Sequence, residues 1–284
     1  MEKYSTIVGE VGSGKHVELK EKDVPKTEFS KDIPESVLKE LREPKYHKIL
    51  RNNNIVLTKY RIAGAVDEDV WIIQAISSIE DLDRVCNTLS KRLREWHGYY
   101  FPEAGHRVED NELFASTVME KSKKDLMKEY KITQSMGPGM EEKDLEIITS
   151  LARQISDLYR QREGILKYLE GLMQHHCPNI QAVAGTMIGA KLLRKAGSLK
   201  HLSMMPSSTI QLLGAEKALF KHLRNKKIKP PKHGFILNHQ YVLFAHNKEK
   251  GKRARMLAGK ISIAAKVDYF RGEFIGDTLK EDLK

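Results

Sequence analysis

The sequence predicts a mainly helical α+β chain: a small N-terminal α/β domain, an antiparallel coiled-coil arm and an all-helical C-terminal domain. Three observations predict it. From Leu145 to Met173, mostly apolar residues recur alternately three and four apart, the a/d spacing of a coiled coil held over about four heptads. From Cys177 onward, helical patterns are punctuated by Gly185, Gly189, Ala190 and Gly197, small residues that let helices pack closely. The first ~70 residues instead alternate in short β-prone pieces around glycines.

The expected boundaries are residues 1–110 for the α/β domain, 111–177 for the coiled coil and 178–284 for the helical domain. The 284 residues suffice for that division, and 40% hydrophobic content can build real cores. Ser5–Val8 and His16–Lys20 read as strands flanking a turn that contains Gly9, Gly12 and Gly14. Gly9, Gly14 and Lys15 also approach the spacing of a phosphate-binding loop. Such a loop needs Ser or Thr after the lysine and then a helix. His16 and the alternating Val17–Leu19 favour a glycine-rich hairpin. Pro34–Leu41 reads as a short helix, and Ile55–Ala65 and Val70–Ala75 as further strands.

Ser78–Trp96 is an amphipathic helix, with Ile79, Leu82, Val85, Leu89 and Leu93 at helical spacing. The aromatic cluster Trp96, Tyr99, Tyr100 and Phe101 is expected to close the N-terminal core. Glu112–Tyr130 is a Lys-rich helix, and Gly137-Pro138-Gly139 is a breaker. The heptad residues Leu145, Ile148, Ala152, Ile155, Tyr159, Leu166, Leu169 and Met173 are candidates for dimerisation. Arg162 interrupts the seam, where an acid on a facing helix could pair with it.

Gly214–Gly234 carries the strongest functional signal. It reads as a helix running into a basic loop that Pro230-Pro231 ends. Leu219 and Leu223 share one face, and Lys217, Lys221 and Arg224 share another, with Phe220 at the border. Lys226, Lys227, Lys229 and Lys232 follow. Cations in a row beside an aromatic suit a phosphate backbone with a base or partner side chain stacked at the edge. Lys252, Arg253 and Arg255 open a later helix, where the helix dipole disfavours cations unless an anion offsets the cost.

Net charge is +11, and from Pro178 onward 21 Lys and Arg stand against 7 Asp and Glu, whereas the remainder has 28 against 31. The basic character therefore belongs to the C-terminal part, as in a nucleic-acid-binding module joined to domains with other tasks. No run approaches the ~18 apolar residues of a membrane span, so no membrane partner is expected. Two cysteines, Cys86 and Cys177, fit a reducing compartment. No catalytic constellation is legible. His175-His176-Cys177 lacks a second ligand pair at zinc-like spacing, and no metal is expected.

"LLGAEKALFKHLR" followed by "PKHG" resembles the signature of the Nop domain. "AGTMIGAKLLRKAGSLKHLSMMPSSTIQ", "RARMLAGKISIAAKVDYF" and "WIIQAISSIEDLDRVCNTLSKRLREWHGYYFPE" extend the resemblance over residues 71–275. The chain is similar to archaeal-type, Nop fifty-six/fifty-eight-like scaffold proteins of box C/D ribonucleoproteins, which guide 2′-O-methylation of rRNA or tRNA. The resemblance implies a non-catalytic role. A fibrillarin methyltransferase carrying S-adenosylmethionine would bind the N-terminal domain, so no cofactor belongs to this chain. A box C/D guide RNA and a kink-turn-binding ribosomal-protein-like subunit would meet the C-terminal domain, and a homodimer would form through the coiled coil. By match to the motif, Gly214, Ala215, Glu216, Lys217, Ala218, Leu219 and Phe220 carry over as RNA- or RNP-binding residues, followed by Arg224, Lys232 and His233. The chain ends at Lys284 without the Lys-rich tail of many eukaryotic relatives. That points to the archaeal form and a cytoplasmic location, nucleolar if eukaryotic. Three other readings compete: a spliceosomal-type Nop RNA-binding protein, a helix-hairpin-helix DNA-binding protein, and an enzyme using the Gly9–Lys15 turn on a nucleotide.

Overall fold

The computed structural model describes residues 4–12, 15–19 and 23–283. The fold is mainly helical, with one small sheet, and it divides into two compact units at Asp67/Glu68. The expected boundaries at 110 and 177 both fall inside the second unit.

The first unit opens with an antiparallel meander of β1 (Tyr4–Ser5), β2 (Gly9–Gly12) and β3 (Lys15–Glu18). Gly9 pairs with Glu18 and Gly12 with Lys15, so the glycine stretch is ladder backbone and a strand follows it. This is a hairpin, but Gly9–Gly12 forms its first strand instead of the turn expected between strands Ser5–Val8 and His16–Lys20. A strand after Lys15 excludes the phosphate-loop geometry, which needs a helix there; residues 13 and 14 lie outside the described residues. Two helices follow, α1 (Glu35–Leu41) and α2 (Pro44–Gly64). Val8, Leu41 and Tyr46 form the small core, and the buried Asn53 donates from Nδ2 to the Ile7 carbonyl at 2.8 Å. The strand expected over Ile55–Ala65 is instead the second half of α2. Its β-branched residues suit a strand locally, but Pro44 at the first turn sets a helix that runs on without a breaker.

The second unit is built on two long helices, α3 (Glu68–Tyr100) and α7 (Glu142–His176). The strand expected over Val70–Ala75 lies in α3, where Ile72, Ile76 and Ile79 are buried at helical spacing. The pair is antiparallel: Asp69 meets His176, and Asp83 meets Arg162. The interruption in the heptads is thus an ion pair across the seam. Between the long helices lie α4 (Pro102–Arg107), α5 (Asn111–Glu120) and α6 (Lys123–Glu129). The long Lys-rich helix expected at 112–130 is broken at Ser122, which caps α6 reciprocally with Asp125. The coiled-coil partner of α7 is therefore α3.

This pairing places Ile148, Ala152, Ile155, Leu169 and Met173, expected to dimerise, inside the chain's own seam. Ile148, Ala152 and Ile155 are buried in one core with Leu93, Phe101 and Phe114, while Leu169 and Met173 join a second core with Ile72 and Ile76. Leu145, Tyr159 and Leu166 are half-buried. An a/d seam buries itself against the nearest complementary helix, and here the same chain supplies it. The aromatic cluster likewise closes the far end of this arm rather than an N-terminal core. Phe101 is buried there, but Trp96 and Tyr99 are exposed.

The remaining helices are α8 (Pro178–Ala184), α9 (Thr186–Ala196), α10 (Leu199–Met204), α11 (Ser207–Leu212), α12 (Glu216–Arg224), α13 (Gln240–Leu243), α14 (Lys250–Tyr269) and α15 (Gly276–Glu281). They pack around α14, which buries Leu257, Ala258, Ile261, Ala264 and Ala265. Two buried acids fasten this layer by capping helices from a distance. Asp268 of α14 accepts from the backbone N–H of Asn179 at 3.1 Å and of Ile180 at 2.9 Å, at the start of α8. Asp69 of α3 accepts from the Leu199 N–H at 2.9 Å, at the start of α10. Glu80 of α3 pairs with Arg194 of α9 at 2.7 Å, so arm and helical layer form one continuous core.

Candidate nucleic-acid interface

The basic stretch stands on a turn that only glycine fits. Gly214 has φ +91°, and a Cβ there would lie 2.8 Å from the Phe235 ring. The Glu216 carboxylate accepts the Gly214 N–H at 2.8 Å and meets Lys195 of α9 at 3.4 Å. Partial burial works to raise the Glu216 pKa, but the Gly214 and Glu216 backbone N–H bonds and Lys195 outweigh it and hold the carboxyl below its ordinary value. Glu216 and Gly214, expected among the RNA-binding residues, therefore build the turn that launches α12.

No residue of α12 is buried. Lys217, Lys221 and Arg224 are exposed and form no ion pair among the described residues. Phe220 is 59% exposed and Leu223 52%, so both lie on an outer surface. A nine-residue helix with no fully buried residue is marginal on its own; its ends help to hold it. At its C-terminus the His222 ring bonds the Ile228 carbonyl, and Asn225 Oδ1 accepts from the Lys227 N–H at 3.1 Å.

The loop that follows is fastened at its other end by Gln211 of α11. Gln211 Nε2 donates to the Lys232 carbonyl at 2.6 Å, and the Gln211 carbonyl accepts the Gly234 N–H at 2.8 Å. Gly234 lies so close to α11 that a Cβ would fall 1.9 Å from the Leu213 oxygen. Lys226, Lys227, Lys229 and Lys232 are all exposed on this anchored loop. Gln211, His222 and Asn225 were not legible as site residues, because the sequence shows no spacing that links them to the loop.

The end of the loop meets the start of α14, where Lys232 lies beside Gly251. Burial, then the charges of Lys250 and Lys232, push the His233 pKa down despite its own backbone hydrogen bond. The first turn of α14 has no acidic residue, and the Glu249 side chain makes no capping hydrogen bond. Lys252 and Arg255 are exposed there without an ion partner. Arg253 is engaged internally: it donates to the Tyr241 carbonyl at 3.3 Å, lies over the Tyr241 ring and meets Glu249 at 3.7 Å. It is a brace of this corner.

Such a surface can hold a polyanion. Among the described residues no group of three or more His, Cys, Asp or Glu is placed to hold a metal. His175 and His176 face Glu68, and His176 also faces Asp69. Burial, then the charges of Asp268, Asp69 and Glu68, push the Cys177 thiol far up, away from a reactive thiolate. No described helix is long and apolar enough to cross a membrane.

Comparison with known proteins addresses the same region. The family model described as "Nop: snoRNA binding domain, fibrillarin" matches residues 78–284. An uncharacterized NOP5 family protein of Methanocaldococcus jannaschii is 43% identical over 80% of this chain and 58% of its own length. Nucleolar protein 58 of Schizosaccharomyces pombe is 37% identical over 75% of this chain and 45% of its own length. The chain thus spans about half the length of the curated relatives it matches. Among solved structures, a chain from a crystal structure of a fibrillarin/Nop5p complex aligns over 99% of this chain and 97% of its own. Its TM-score is 0.50 at 24% identity, a likeness of fold.

Proposed function

The chain belongs to the Nop family, whose matched domain is described as snoRNA-binding, and from that premise we propose that it is a non-catalytic scaffold of a box C/D guide-RNA ribonucleoprotein. It bridges a fibrillarin methyltransferase to the guide RNA, and the methyl donor, S-adenosylmethionine, stays with the methyltransferase. Lys217, Lys221 and Arg224 with Lys226, Lys227, Lys229 and Lys232 neutralise RNA phosphates, and Phe220 stacks at the border with a base or with the kink-turn-binding subunit. The observation that carries the reading is the row of exposed, unpaired cations on a helix with no fully buried residue. The loop behind it is bonded at both ends, so little order remains to be gained on binding. Pairing of two copies, which the resemblance implies, is part of the proposal and must use residues outside the internal seam. In an archaeal cell the assembly is cytoplasmic; in a eukaryotic one it is nucleolar.

The test is RNA binding across a salt series, with the kink-turn subunit present. The triple substitution of Lys217, Lys221 and Arg224 by Ala should flatten the log–log salt slope by about two to three units, at ~0.9 per phosphate contact on a duplex. An unchanged slope, or equal binding of any bare RNA by the wild type, would sink the reading.

A further inference from the structure

Outside the residues that the Nop family model matches, α2 is a second cationic surface. The chain from Pro44 to Val66 contains Lys45, Lys48, Arg51, Lys59 and Arg61 and not one Asp or Glu. Whole-chain charge hides this, because the acids that balance it lie elsewhere. Of its 21 residues only Tyr46 and Asn53 are buried, both in the first half where the small core lies. From Thr58 to Gly64 every residue is exposed, including Tyr60 and Ile62. Lys45 is held by Glu43 at 2.7 Å, but Lys48, Arg51, Lys59 and Arg61 form no ion pair among the described residues.

Lys48, Arg51, Ile55, Lys59 and Ile62 follow one another three or four residues apart, on the face turned away from the buried stripe. Lys48 and Arg51, at i,i+3, repel each other along the helix. The last two turns, which carry Lys59 and Arg61, lie beyond the core and gain no packing, so the cationic charge along the helix stands without a counterweight. A polyanion offsets it. We propose that α2 is an RNA-binding surface of its own, in which Lys48, Arg51 and Lys59 take phosphates of a single-stranded RNA, with Arg61 adding its charge from the flank. A protein groove would call for apolar anchors at each turn. Here the stripe offers isoleucines only at 55 and 62, and the cations spread to both flanks.

The experiment uses the full chain and a 20-nucleotide single-stranded oligouridylate, followed by fluorescence anisotropy from 50 to 300 mM salt. Lys48, Arg51 and Lys59 are changed together to Gln, a good helix former, in the wild type and in a background with Lys217, Lys221 and Arg224 already changed. In that background the three Gln substitutions should flatten the remaining salt slope by about two units, at ~0.7 per contact on a single strand. Affinity at 50 mM salt should fall at least tenfold, with an unaltered circular-dichroism melt. An unchanged slope and affinity in both backgrounds overturns the proposal. So does RNA-independent capture of an acidic protein that the same substitutions abolish. Because α12 is already neutralised, failure here leaves the scaffold reading standing, and failure of the α12 test leaves this one standing.

Discussion

His97 shows how one side chain can set the pH range of the arm. It lies within edge-on reach of Tyr100, Phe101 and Phe114, and its Nδ1 makes no hydrogen bond. Burial, aided by the Lys123 charge, lowers its pKa to about 4. The native state therefore holds it neutral, while the unfolded chain takes up a proton near the ordinary value. Its contribution is fully present above about pH 6.5 and is lost as pH falls towards 4, amounting to roughly 3 kcal/mol at the acid end. Thermal melts between pH 7.5 and 4.5 should show this loss, and His97→Phe should abolish that part of it. Gly234 gives a second prediction at this scale. Gly234→Ala forces the loop off α11, so affinity for the RNA assembly should fall at least tenfold while the salt slope is kept, because every cation remains. An affinity equal to wild type would show that the close approach does not matter.

Among the elements, α7 carries the sharpest consequence. Its heptads read as a surface for another chain, yet α3 and α5 already cover Ile148, Ala152 and Ile155. Ile155→Asp buries an unpaired charge in that core, at a cost of several kcal/mol. The expected result is loss of helical signal and a lowered Tm at any protein concentration. A variant with an unchanged melt but a halved mass by light scattering would restore the dimer-seam assignment. The distant caps make a parallel case. Asp268→Ala leaves the α8 donors Asn179 and Ile180 without their acceptor, at about 1–3 kcal/mol each. Amide exchange at these two positions should accelerate first. Burial raises the Asp268 pKa against the Asn179 and Ile180 bonds that lower it, so the anionic cap should already weaken in mild acid.

At the scale of the molecule, the two units carry their charge differently. The second places unpaired cations on α12 and its anchored loop; the first places them along an α2 that outruns its own core. Neutralising both helices together should leave little salt-dependent RNA binding. A residual slope as steep as the wild type's would move the interface to the long arm, where most exposed Arg and Lys are already paired with acids three or four residues away.

Periodicity and composition by themselves determined that this chain is mainly helical, that α7 is one long amphipathic helix, that Gly9–Lys15 is hairpin rather than phosphate loop, and that Gly214–Gly234 is a cationic helix and loop. Each follows from residues near one another in the chain: a 3.4–3.6 residue period, a missing Ser or Thr, a run of lysines. Only the tertiary structure decided which helix fills the α7 seam, because heptads specify an apolar stripe and not its partner. The same holds for 55–65 and 70–75, where β-branched residues favour strands locally and helical continuity prevails. Glu216 and Arg253 look like any charged residue of a basic motif. Their roles depend on Lys195, Tyr241 and the Gly214 turn, groups that the fold, not the spacing, brings within hydrogen-bonding distance.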